Sequence, residues 1–263
     1  MDLIKAAWSR FSERKGATFA AAIGYRAIFA LAPLLVVVVS GAGRLFGEEA
    51  SLGLLAGNLN RLLGPDLAGV VQDMIVTARG QGGIGVFGFA LLLWAGSGLF
   101  NELQTAMAAI FGLVRPVGIK KALRQRLITI VAVVVLALGF AVLVAMAAWI
   151  PMTGSVVASV STAGFLLVAI MVGFRYLSLH RPGWKATTRV AGATVFTMGL
   201  AAIAVGLFVT RQGGSATGIA GSATAILLLI YVMAAVFLFG AALLREVELR
   251  GGPPSSRQGA GAL

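Results

Sequence analysis

The chain has 263 residues, of which 59% are hydrophobic and only 11% charged, and its formal net charge is +12. Soluble domains run at about 45–50% apolar and about 25% charged, so this composition excludes an ordinary water-soluble globule. The absence of cysteine excludes disulfide and thiolate chemistry.

A spanning helix needs roughly 20 apolar residues, and the chain offers runs of that kind repeatedly. The first starts after Lys15 and covers 17–43, with Pro33 inside it as a kink. Its length, and Arg26 within it, predict a retained span rather than a cleaved leader. A long connection follows, Arg44 to Gly80. Within it Leu52, Leu55, Leu59, Leu62 and Leu63 fall at helical spacing. After Gly64-Pro65, so do Leu67, Val70, Val71, Met74 and Ile75. Pro65 suits a first helical position and Asp66 a first turn. Two short amphipathic helices are expected there, on the outer membrane surface or capping the bundle.

The second span is predicted over 80–112 and the third over 127–150, closed by a turn at Pro151 and Gly154. The fourth covers 155–176, the fifth 190–210 and the sixth 220–245. Gly213, Gly214, Gly218 and Gly221 predict a flexible last outer turn. From Gly251 the chain is rich in Gly, Pro, Ser and Gln, and 251–263 reads as a disordered tail. Only helices satisfy their own backbone hydrogen bonds across lipid over such lengths, and these runs lack the alternation of a barrel. The expected fold class is therefore all-α: a polytopic membrane bundle of about six spans, forming one domain over 1–250.

The position of Lys and Arg predicts orientation. The segment before the first span, the second-to-third and fourth-to-fifth connections, and the tail together hold sixteen of the 21 basic residues. The opposite side has only Arg44, Arg61, Arg79 and Arg211. The basic segments, and with them both chain ends, are expected in the cytoplasm, facing anionic lipid headgroups. Topology thus accounts for the positive charge, and no nucleic-acid partner is needed.

Three stretches carry a family likeness. They are AAAIGYRAIFALAPLL over 20–35, SGLFNELQTAMAAIFG over 97–112 followed by Pro116 and a basic run, and GIAGSATAILLLIYVMAAVFLFGAALLREVE over 218–248. The chain resembles the YihY/BrkB family of bacterial inner-membrane proteins along nearly its whole length. That resemblance implies six spans, cytoplasmic ends and the inner membrane. Members have been labelled ribonuclease BN, one is associated with virulence and serum resistance, and envelope lipid handling or transport has been suggested for relatives. The chain departs from the family pattern at Arg26, where an aromatic is usual, at Glu102, where a small residue is usual, and at Ala242, where Glu often stands.

Arg26 lies ten residues past Gly16 and Glu102 ten before Gly112. At a rise of about 1.5 Å per residue both sit roughly 15 Å from the cytoplasmic boundary, so the two are predicted to touch. A charge at mid-bilayer costs about 2.5–3.5 kcal/mol on insertion scales, which demands pairing or a wet cavity. Two readings stay open: an ion pair that fixes helix register, or a polar site on a substrate or proton path. Tyr25, Asn101, Gln104 and Thr105 are the candidate extension of such a site, with the last three expected on one helical face. Ser97 lies nearby. These groups equally suit interhelical hydrogen bonding.

Gly83-Ile-Gly85-Val-Phe-Gly88 fits G-x-G-x-x-G, but no strand precedes it, and a dinucleotide loop is rejected. His180, the one histidine, has no Cys or carboxylate cluster near it in sequence, so neither a zinc site nor a catalytic triad is expected. No cofactor or metal is expected. A two-metal nuclease needs convergent carboxylates, and eight of the nine acidic residues fall in loops or tails. The favoured function is a non-enzymatic transporter or lipid-handling protein. The alternative is a scaffold or partner subunit of an envelope assembly, with a homo-oligomer or an envelope protein as partner. A ribonuclease ranks last.

Overall fold

A computed structural model describes residues 2–30, 84–113, 154–177, 182–211 and 219–251. Among these residues there are six helices and no strand: α1 (Asp2–Glu13), α2 (Gly16–Ala30), α3 (Ile84–Phe111), α4 (Gly154–Tyr176), α5 (Trp184–Arg211) and α6 (Ile219–Gly251). The predicted span 127–150, the outer-loop helices, Pro33, Pro151, His180, and the tail from residue 252 lie outside the described residues. So do Gly213, Gly214 and Gly218, whereas Gly221, expected in a flexible turn, is helical.

Where the predicted spans can be compared, the apolar runs coincide with helices, but the helices overrun them. α5 begins at Trp184, six residues ahead of the predicted 190, and α6 continues to Gly251, six beyond 245. Hydropathy marks only the oily part of a helix. The additional turns carry Lys185, Thr187 and Thr188 at one end, and Glu246, Glu248 and Arg250 at the other. The Thr187 and Thr188 hydroxyls are satisfied within these turns, donating to the carbonyls of Gly183 and Trp184, 3.0 and 2.9 Å away. Gly85 and Gly88 lie inside α3, so the backbone there is helix, not a phosphate loop.

α1 is an element the hydropathy pattern did not announce. It is too polar to span, yet Ala7 and Phe11 are buried and Trp8 and Phe11 pack against Phe239 of α6. It ends where Lys15 takes a left-handed backbone conformation, with φ of 56°. α2 then starts at Gly16, directly beneath the Phe11 ring, where no side chain would fit.

α6 is the central helix. It packs against α5, α1 and α3. It also reaches α4 through Phe237, stacked on Phe174 with centroids 5.1 Å apart, and α2 at Tyr231, whose backbone lies 3.7 Å from where a Cβ on Gly24 would stand. The buried core is rich in small residues, with Ala20, Ala106, Ala191, Ala241 and Ala242 fully enclosed. Small residues let helices approach closely where lipid supplies no hydrophobic drive between them.

Large apolar side chains lie outside. On α5, Phe196, Leu200, Ile203 and Leu207 form an exposed stripe at helical spacing. A soluble protein would turn such a stripe inward, and here it suits hydrocarbon. Two stretches of the described helices, Trp184–Phe208 and Thr224–Arg250, are long and apolar enough to cross a membrane; Gly16–Ala30 and Ala163–Tyr176 are apolar but shorter.

Candidate functional site

α2 and α3 carry the one pair of opposite charges set within predicted membrane spans. Arg26 Nε lies 3.1 Å from Glu102 Oε2, so these two side chains, distant in sequence, are brought together. The exposure is unequal: 46% of the Arg26 side chain is accessible against 18% for Glu102. Gly98, one turn before Glu102, makes room for the guanidinium. A Cβ there would stand 3.0 Å from Arg26 Nη1. The Arg26 side chain therefore reaches across bare backbone of α3, with its Nε turned to the carboxylate and much of its surface outward.

The other predicted residues divide. Tyr25 is exposed beside Arg26, its ring edge-on to Phe29 with centroids 4.9 Å apart. Asn101 is exposed, Thr105 half-buried and Gln104 buried, so burial changes steeply across the three. Gln104 lies about 60° to one side of Asn101 around the helix and Thr105 about 40° to the other. Gln104 points into the core, while Asn101 faces outward. The Thr105 hydroxyl donates to the Asn101 carbonyl at 2.8 Å and that of Ser97 to Trp94 at 2.8 Å, both local helical bonds.

A second polar cluster joins α1, α3 and α6 at one end of the bundle. Arg10 Nε donates to Glu246 Oε1 at 2.6 Å, and Arg10 Nη1 to the Ile110 carbonyl at 3.5 Å. Arg10 thus bonds a carboxylate on α6 and a last-turn carbonyl of α3 at once, a favourable place for a cation because helix C-termini are electronegative. One turn away, Arg245 Nη1 approaches Glu248 Oε2 at 3.7 Å, too far for a hydrogen bond. Arg245 Nε and Glu248 Oε2 are buried there without a hydrogen-bond partner among the described residues. Counting Glu246 and Glu248 as tail residues hid this cluster. The signal that could have found it is the i, i+3 and i, i+4 run of Ala7, Arg10, Phe11 and Arg14 ahead of the first span.

The end of α3 is closed by Gly112 at φ 70°, its N–H bonded to Ala109 and that of Leu113 to Ala108, at 3.1 and 2.9 Å. This is a Schellman cap, which glycine adopts without strain. Arg14 sits against it, 3.4 Å from the position of a Cβ on Gly112. At the α4–α5 turn, Arg175 lies over the Trp184 ring, 4.2 Å from its centroid, and donates to the Pro182 carbonyl at 3.0 Å. Both arrangements lock a basic residue to a helix end. Among the described residues, no three of His, Cys, Asp and Glu come together.

Comparison with known proteins adds one strong match and one partial one. The family profile described as Virulence factor BrkB matches residues 7–261. An uncharacterized protein of Dickeya dadantii (strain 3937) is 31% identical over 106 residues, which is 39% of this chain and 32% of that relative. The match therefore spans about a third of the length of the curated relative. No solved structure matches the chain significantly.

Proposed function

Since the chain belongs to the BrkB virulence factor family, and its apolar helices fit an integral membrane protein, we propose that it is a non-enzymatic transporter or lipid-handling protein of the bacterial cell envelope. In this reading residues 1–250 form one six-span domain of the inner membrane. Both ends, and the basic connections, face the cytoplasm. No catalytic residue, cofactor or metal takes part.

One observation carries the proposal: the Arg26–Glu102 pair is not sealed between the helices, since 46% of the Arg26 side chain is accessible although only 18% of Glu102 is. A pair that served only as a register pin could often be exchanged for well-packed apolar residues at no loss of stability. An ion pair at the edge of an apolar bundle can instead offer a polar foothold to a headgroup crossing the bilayer.

The test is the flux of labelled phospholipid in vesicles reconstituted with the full chain. Wild type is expected to move lipid between leaflets faster than protein-free vesicles, and Glu102→Ala to lose most of that excess. Equal rates with and without protein reject the transport of that lipid, and leave the scaffold as the better account.

A further inference from the structure

We propose that the Arg26–Glu102 pair is a two-point receptor for a zwitterionic aminophospholipid headgroup, with Arg26 taking the phosphate and Glu102 the ammonium. The inference rests on the lipid-handling reading above and names its substrate class.

The geometry supplies two opposite charges 3.1 Å apart, of which the Arg26 side chain is 46% and the Glu102 side chain 18% accessible. Guanidinium carries five donors in a planar fork, and the Nε is the atom turned to Glu102. The Nη edge, with Nη1 close to Gly98 on a side chain that is 46% accessible, has the planar fork that recognises two oxygens of a phosphate. The Glu102 carboxylate is an acceptor with several lone-pair directions, of which the 3.1 Å approach of Arg26 Nε to Oε2 uses one. Gly98 eases the arrangement: a Cβ there would crowd Arg26 Nη1 and oblige the guanidinium to shift slightly.

Charge balance selects the ligand. Arg26 and Glu102 together are neutral. A purely anionic headgroup on Arg26 would leave a net negative charge beside Glu102 in a medium that screens poorly. A headgroup with both a phosphate and an ammonium adds no net charge and meets opposite charge at each end. Glu102 is the more enclosed partner, which favours a primary ammonium with N–H donors over a bulkier trimethylammonium that has none. The exposed Tyr25 and Phe29 rings flank Arg26 on α2 and provide an apolar wall for the glycerol and first acyl carbons.

The test is lipid retention by the full chain, reconstituted in vesicles of equal phosphatidylethanolamine, phosphatidylglycerol and phosphatidylcholine, then extracted gently and weighed by native mass spectrometry. Wild type is expected to retain phosphatidylethanolamine about tenfold over either competitor. Arg26→Gln and Glu102→Gln should each remove the preference. The double exchange Arg26→Glu with Glu102→Arg should restore it, because phosphate and ammonium can trade places; this arm stands if the single variants fail to fold. Retention of phosphatidylglycerol equal to or above phosphatidylethanolamine overturns the proposal. So does a preference that survives both single substitutions, or no preference in wild type. The flux assay fails separately: retention without flux leaves the receptor intact and removes transport, whereas flux without headgroup preference removes the receptor alone.

Discussion

Gly240 and Gly98 show how an absent side chain can determine a contact. A Cβ on Gly240 of α6 would run into the Thr194 hydroxyl and stand 3.0 Å from Phe174 Cζ, so three helices converge on one glycine. Gly240→Val is expected to lower stability by about 1–3 kcal/mol through overpacking. Gly199→Ala, where a Cβ meets nothing within 4 Å, should show no such loss. Thermal unfolding of the two variants in the same detergent checks the contrast. Comparable melting temperatures for both would mean that α4, α5 and α6 do not meet there. Thr194 itself is buried with its hydroxyl bonded to the Val190 carbonyl at 2.8 Å, so it brings no unsatisfied donor to the junction.

α1 owes its place to a few contacts rather than to oiliness. Its amphipathic face is short, and an isolated helix of 12 residues is marginal in water. Docking on α6 through Trp8, Phe11 and the Arg10–Glu246 bond stabilises it. Arg10→Ala and Glu246→Gln are each expected to loosen α1, with a coupling between them of about 1 kcal/mol for a partly buried charged bond. Amide hydrogen exchange over residues 2–13 measures this, and additive effects in the double variant would show that the two side chains act independently. The same helix marks the limit of reading by composition. Long apolar runs identified α2 to α6 because oil solubility is a property of the run itself. α1, the early start of α5 and the late end of α6 depend on partners from distant sequence, which hydropathy does not record. The Arg26–Glu102 meeting was legible because two helices of matching depth constrain two rare charges. The burial of Gln104 was not, because it depends on how α3 is rotated against its neighbours.

The described helices gather the predicted cytoplasmic charges at one end. Arg10 on α1, Arg14 against the Gly112 cap, and Arg245 beside Glu248 all lie where α3 and α6 finish. Roughly 9 Å further into the bundle along α6, Gly240 meets Thr194 of α5 and Phe174 near the end of α4. If that end faces the cytoplasm, a single cysteine replacing Lys120 should react with an impermeant thiol reagent only after the cells are opened. The lack of native cysteine gives this labelling no background. Reaction in intact cells would invert the orientation.

α6 holds 33 residues, so it is about 50 Å long. The hydrocarbon layer is about 30 Å thick. The excess must be absorbed by tilting or by protruding into the aqueous phase, and the share of each changes as the bilayer thins or thickens. Its last turns hold Arg10 and its middle abuts α2 two residues from Arg26, so if α6 crosses the bilayer, a change in its tilt would be felt at both contacts, like a rod levered at one end.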